Sequence, residues 1–415
     1  MASALSAAYP IKLISLIASP RWSLAIALAL VAAGCSEPVP VASSADVVDS
    51  AGIQVVTSKA PAWGDKPQWK VSSSPSLTIG GVAGDPALDF VGIVGARRLG
   101  DGTLVVANGG TGELRWFSAD GTPVRTVGGR GKAGAPFGSI VSLYSLGDTL
   151  LVWDPRVRVL TLVSSSGAVL RQDTLRMADS TRRFAILGAF GDGKLLAEAG
   201  VPLELKDREP GLVRPGRSLF LLDRGVPDSI DVLPGEELRL SITDGRPVLT
   251  AVPFGLGSRL TVLADGYLTS EGDRNELAEH DERGRVRRII RWPGARLPVT
   301  QDDIDRQGRA LLGSAGTGAQ RAQLDSIWRD MRKPDSLPAI IGMMADPRAL
   351  AWVRRGMHVA DSETEWWVIA KDGTWLGSLM LPGTAAPLDI TGEWIVLRTV
   401  DANRIERVEV RRIRR

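Results

Sequence analysis

The sequence predicts an all-β chain: a six-bladed β-propeller with four antiparallel strands per blade, its ring closed by an N-terminal strand, and a helical insertion between blades 4 and 5. Three observations predict it. A strand-and-turn pattern recurs along the chain, the turns fall in phase with it, and the two ends of the pattern carry complementary fractions of one unit. The pattern is clearest in "LGDGTLVVANG" (99–109), which returns as "LGDTLLVWDPR", "FGDGKLLAEAG", "LADGYLTSEGD", "ADPRALAWVRR" and "ITGEWIVLRTV". With Thr103 as reference, the matched residues are Thr149, Lys194, Tyr267, Ala349 and Glu393, at intervals of 46, 45, 73, 82 and 44. Three intervals cluster and two are long, as a fixed unit carrying insertions would give.

Each copy runs into a second apolar stretch and another turn, as in "ELRWFSADGTPVRTV" and "EWWVIAKDGTWLGSL". Asp-Gly and Ser-Gly tolerate the left-handed backbone of a tight hairpin, so each marks a strand reversal. An apolar run before each first turn ("FVGIVGARRL", "SIVSLYSL") supplies one more strand. Four short strands per unit of this length describe a propeller blade. The segment "LTIGGVAGDPALDFVGI" (77–93) echoes "RTVGGRGKAGAPFGSIV" (125–141), so Leu77–Ile79 reads as a last strand lacking the strands before it. The C-terminal unit has three strand candidates and then stops. The first strand therefore completes the last blade and leaves no open edge. The segment "AGIQVVTSKAPAWGDKPQWKV" adds one or two peripheral strands without a place in the pattern.

The run F-x-G-I…L-x-D-G-T-L-V-V-A-N…L-x-x-F-S-A-D-G resembles an NHL-type repeat. From about residue 77 to the C-terminus the chain is similar to the family of lipobox-bearing bacterial six-bladed β-propeller proteins. "DSLPAIIGMMADPRALAWVRR" (335–355) is similar to that family too. The single cysteine, Cys35, follows an apolar run from Leu24 to Ala33, too short for a membrane span of about 20 residues and suited to a signal peptide. Ala32-Ala33-Gly34-Cys35 resembles a bacterial lipobox, which implies lipidation of Cys35. The expected domains are a signal peptide over 1–34, a flexible tether over 35–50 and one propeller over 51–415. The expected address is the bacterial cell envelope, lipid-anchored at the outer membrane or the periplasmic side of a membrane. Ser36 favours the outer membrane. With no other cysteine the exported chain has no disulfide.

Composition excludes some functions. Fifty basic against 47 acidic residues leave +3, with no footprint for nucleic acid. Only two histidines occur, His280 and His358, so a His-rich zinc site is excluded. Neither a G-x-S-x-G elbow nor a phosphate-cradling Gly loop with Lys-Ser/Thr is present. His280, in "NELAEHDERG", reads as a solvated turn residue, and His358 as part of a loop between second and third strands.

Three insertions break the period: 200–217, 233–253 and 291–340, the last helical from Gln301 and again from Gln320, with Thr300 and Asp303 as a capping pair. All three fall between second and third strands or between blades, and so on one face. Inserted loops carry function, which makes this face the expected site. The ends of the second strands place Asn108, Asp154, Glu198, Glu271, Arg354 and Arg398 there, joined by Arg130 and Lys132 from "GGRGKAGAPFG". Resemblance to six-bladed lactonases and esterases, which hold calcium at the central tunnel, implies a hard-cation site built from the first four. The tunnel-lining starts of first strands offer few further acids, with Asp89 and Asp389 the main candidates. Two arginines in the same ring suit a polar or anionic ligand instead. Trp153, Trp352, Trp366, Trp367, Trp375 and Trp394 fall in strands and are expected in the core, whereas Trp292 and Trp328 are expected at an exposed, partner-facing surface.

The function these readings favour is a non-catalytic binding or scaffold module without cofactor, monomeric, facing an envelope protein, peptide or glycan. A calcium-dependent lactonase or esterase-like hydrolase is the alternative. An accessory role in an outer-membrane complex comes third.

Overall fold

The structure is a computed structural model and describes residues 45–81, 84–175, 183–205, 208–243, 245–383 and 385–415. The signal peptide, Cys35 and the first part of the tether lie outside them. The described chain is nearly all-β, with a propeller-like series of four-stranded antiparallel sheets. The first sheet orders Ile93–Arg98, Leu104–Asn108, Glu113–Phe117 and Pro123–Gly128. The second orders Ser142–Leu146, Thr149–Asp154, Val159–Ser164 and Val169–Thr174. The third uses Ala185–Ala189, Leu195–Gly200, Gly216–Asp223 and Val226–Pro234, and the fourth Arg259–Leu263, Gly266–Ser270, Glu276–Asp281 and Val286–Arg291. The fifth has Ile340–Ala345, Ala351–Arg355, Glu363–Ile369 and Trp375–Pro382. In the sixth, Ala386–Thr391, Trp394–Val400 and Glu406–Arg414 are followed by Leu77–Ile79, which pairs antiparallel with the C-terminal strand through Ile79↔Val408.

Asp-Gly turns form because the aspartate side chain accepts the amide two residues on. Asp101 Oδ1 takes Thr103 N at 2.9 Å and Asp120 Oδ1 takes Thr122 N at 3.1 Å. The intervening Gly102 and Gly121 sit at φ +90°, where a Cβ would be strained.

The second strands of the first two sheets read as nearly unbroken apolar runs because both of their faces are buried. Successive side chains point to opposite faces. Leu104 and Val106 thus join a core with Phe117, Val396 and Val408, while Val105 and Ala107 join another with Leu150 and Val152. Leu151 and Trp153 turn the other way, to Ala197, Phe184 and Phe220. Leu196 packs with Tyr267, Leu268 with Val353 and Trp367, and Trp352 with Ile395 and Leu397. Adjacent Trp366 and Trp367 divide in this way between two cores. Among the described residues six clusters result, each between consecutive four-stranded sheets, one of them holding residues of the sixth and the first.

The peripheral N-terminal segment has a definite place. Ala45–Ser50, assigned to the tether by composition, is a strand paired with Ile53–Ser58, because its valines can pair across the Ala51-Gly52 turn. Ile53–Ser58 in turn lies parallel to Val286–Arg291 on the outer edge of the fourth sheet. Lys70–Val71 pairs with the C-terminal strand, and Trp63 and Trp69 pack into the core between the fifth and sixth sheets.

The first two insertions combine: Gly211–Val213 pairs with the hairpin Leu238–Thr243/Arg246–Ala251 to form a separate three-stranded sheet. The third insertion forms helices α1 (Gln301–Gly313) and α2 (Gly318–Asp330). Thr300 and Asp303 close a capping box on α1, which satisfies amides that the helix itself cannot. None of the helices among the described residues is long and apolar enough to cross a membrane.

Two side-chain placements differ from the sequence expectation. His280 is not a solvated turn residue: it is 6% exposed, stacked on Tyr267 with ring centroids 4.6 Å apart, with Nε2 2.9 Å from Thr269 Oγ1. The bulge between Glu279 and His280, just before the turn, accompanies this inward placement. Trp292 is not exposed either. It is buried edge-on to Trp367, 5.4 Å between centroids, because it lies directly after the fourth strand of its sheet, before the insertion leaves the core.

Candidate functional site: a cavity at the elaborated face

The second-strand ends divide into three groups. Asn108 and Asp154 hold loops. Asn108 Oδ1 accepts Val91 N at 2.9 Å, and Asp154 Oδ2 accepts Gly138 N and Ser139 N at 3.0 and 2.9 Å while its Oδ1 accepts Arg156 N at 3.0 Å. Each fixes the loop that enters the first strand of its own sheet. Arg398 does similar work between sheets. Its Nη1 donates to Ile93 O at 3.1 Å and lies 3.5 Å from Glu406, whose other oxygen accepts Ile93 N. Arg130 is exposed and is held through its backbone by Thr111 O, while Lys132 reaches Glu113 Oε1 at 2.7 Å.

Glu113 gathers a small network of its own, accepting from Thr111 Oγ1, Lys132 and Arg115. Burial alone would raise its carboxyl, but the hydrogen bonds from Lys132, Arg115 and Thr111 outweigh it and bring it down to about 2.

Glu198 belongs to a cavity of about 500 Å³. Its walls come from the third, fourth and fifth sheets (Leu187, Leu260, Met343) and from the insertions. Glu198 pairs with Arg217, and Glu236 with Arg259. Arg217 Nη1 also donates to Ser258 O at 2.8 Å, and Arg259 Nε to Ile341 O at 3.0 Å, which ties the fourth sheet to the fifth. Ser258 is 3% exposed and its hydroxyl has no partner among the described residues. Glu271 stands apart, exposed, 3.3 Å from Arg214. Arg217, Arg259, Glu236 and Ser258 were not singled out in the sequence. Their shared signal is position: Arg217 and Ser258-Arg259 stand where an inserted loop re-enters a sheet.

Arg354 is not among the residues that line this cavity. Its stem crosses Gly342, a lining residue, with Cβ and Cδ 3.4 and 3.7 Å from where a Cβ of Gly342 would stand. Its Nε is buried without a partner among the described residues, and burial pushes the guanidinium down from its ordinary value.

A calcium site does not fit this set. Asn108 and Asp154 spend their oxygens on backbone amides, Glu198 faces Arg217, and Glu271 faces Arg214. Among the described residues no group of three or more His, Cys, Asp or Glu side chains is placed to hold a metal ion. Asp89 is exposed and contributes its backbone oxygen to Arg115, and Asp389 accepts the backbone amide of Arg98. Burial pushes the Asp389 carboxyl up from its ordinary value, against the opposing pull of Arg97.

His358 lies in the loop between the second and third strands of the fifth sheet. Its Nδ1 is 2.8 Å from Asp303 Oδ2, and Val359 N donates to Asp303 Oδ1 at 2.8 Å. Burial would raise the Asp303 carboxyl, but Thr300, His358 and Val359 hold it well below the usual carboxylate range. The pair fastens the start of α1 to the sheet. Trp328 packs over Gly308 between the two helices and under Lys333, partly buried.

No protein-family model matches the chain, and no curated protein matches it. Among solved structures it is similar to an exported protein of Bacteroides fragilis (12% identity, TM-score 0.45, 87% of this chain and 100% of that chain covered). It is also similar to a member of the duf4221 family from Bacteroides vulgatus (9% identity, TM-score 0.48, 84% and 99% covered). A third is regucalcin, a calcium-binding protein of Agrobacterium tumefaciens (12% identity, TM-score 0.36, 78% and 91% covered).

Proposed function

We propose that the chain is a six-bladed propeller with NHL-like repeats, lipid-anchored through Cys35 in the bacterial envelope, acting as a non-catalytic binding module for a protein, peptide or glycan. Support for the ring comes from the packing. The first strands of consecutive sheets lie side by side from Ile93–Arg98 through Ile340–Ala345, and Ala386–Thr391 lies beside Ile93–Arg98. Leu77–Ile79 would close the last blade with a strand from the other end of the chain.

The observation that carries the binding reading is the fusion of two separate insertions into one extra sheet, beside a cavity whose acids are neutralised by arginines. A preformed surface of this kind binds without the cost of ordering loops. The test is capture of partners from detergent-solubilised envelope by the purified chain from residue 36, with and without residues 236–257. The reading predicts a reproducible partner, lost on deletion in a variant that still melts cooperatively. Capture indifferent to the deletion contradicts it.

A further inference from the structure

We propose that Met357 is a site of oxidation by hydrogen peroxide, and that Arg354 stabilises the sulfoxide formed there. This goes beyond the binding reading and does not rest on it. Arg354 is half-buried at the end of its strand, and among the described residues no carboxylate lies within ion-pair distance of it. Its side chain instead meets the Met357 thioether, with Nη2 3.4 Å from Sδ, while its Nε has no acceptor among the described residues. A guanidinium keeps its charge in such a place, and a thioether is a weak acceptor for it.

Met357 is within reach of a small oxidant. It lines a second cavity, of about 310 Å³, together with Leu297, Arg355, Asp361 and Met380. The backbone before it is pinned: Gly356 N donates to Ala339 O at 3.0 Å, and Pro338 O leaves no room for a Cβ on Gly356. When the sulfur attacks a peroxide oxygen, the S–O bond forms as the O–O bond breaks. Sulfur gives up two electrons, and the other peroxide oxygen leaves as water. The new oxygen is a strongly dipolar acceptor, and the three rotatable bonds of methionine can turn it toward Arg354. Oxidation of a half-buried methionine ordinarily loosens its surroundings. Here it supplies the acceptor that a desolvated charge lacks. His358 and Val359, next in the loop, hold Asp303 at the start of α1, so the loop that gains this bond also fastens the helical insertion.

The experiment treats the chain from residue 36 with hydrogen peroxide, locates sulfoxides by peptide mass spectrometry and follows the melting temperature. Met357 is expected to oxidise in the folded protein, as Met380, 47% exposed, does, while Met331, 3% exposed, does not. Compared with M357L/M380L treated alike, M380L is expected to gain about 2–4 °C on oxidation, the worth of one charge-assisted hydrogen bond in a chain of this size. Adding R354M is expected to turn that gain into a loss. If R354M does not fold, M357Q tests the same bond, because its amide oxygen stands in for the sulfoxide; it is expected to melt above M357L without any oxidant. Met357 left unoxidised beside an oxidised Met380, no gain over M357L/M380L, or a gain untouched by R354M overturns the assignment. So does M357Q melting at or below M357L.

Discussion

At the scale of single residues, polar side chains at this face are spent mainly on holding the fold. Glu113 is 8% exposed and is compensated on three sides, by Lys132, Arg115 and Thr111. Its folded carboxyl lies at about 2 against an ordinary 4.5, a depressed value. Its contribution is therefore complete above 4.5 and is lost as pH falls from there toward 2. E113Q leaves Arg115 buried beside a neutral partner and is expected to cost about 2 kcal/mol at pH 7. It should also flatten the acid limb of the stability profile. Urea melts at pH 7 and pH 3 check both, and an unchanged acid limb would contradict the network.

At the scale of elements, the governing fact is that inner strands such as Leu104–Asn108 and Thr149–Asp154 are buried on both faces, so that neighbours in sequence serve different cores. Leu150 and Leu151, each 1% exposed, point into the cores before and behind the second sheet. L150A and L151A are each expected to cost about 2–5 kcal/mol, and the double variant their sum within about 0.5 kcal/mol, since their cavities are separate. Strong coupling, read from denaturant melts, would mean a single shared core.

This double-faced burial was legible in the sequence, because runs such as "LVVAN" and "LLVWD" lack the polar alternation of a half-solvated strand. The Asp-Gly turns and the Thr300–Asp303 cap were legible for the same local reason. His280 was not: its burial depends on Tyr267, its directly opposed partner across the hairpin, and residue type alone carries no sign of it. The parallel docking of Ile53–Ser58 on Val286–Arg291 and the meeting of Gly211–Val213 with Leu238–Thr243 were equally hidden. Pairing between distant segments leaves no local pattern. For the site, the second-strand ends were found, but whether each would face a ligand or clamp a loop depended on which backbone amides approached.

At the scale of the whole molecule, the hydrophobic cores among the described residues lie between consecutive four-stranded sheets, and residues from the insertions gather where Glu198, Arg217 and Arg259 line one cavity. The proposed ring and the proposed face stand or fall together, because the face is defined by which strand ends meet around an axis. The join between Leu77–Ile79 and Glu406–Arg414 is the point at which a ring differs from an open row of sheets. Thr78 and Glu409 are directly opposed there. The most direct test is disulfide formation in T78C/E409C, made in the chain from residue 36, which has no other cysteine. A closed ring predicts near-complete oxidation and a large rise in melting temperature, up to on the order of 5 kcal/mol from closing so long a loop. Failure of the two thiols to join in the folded protein would contradict the ring.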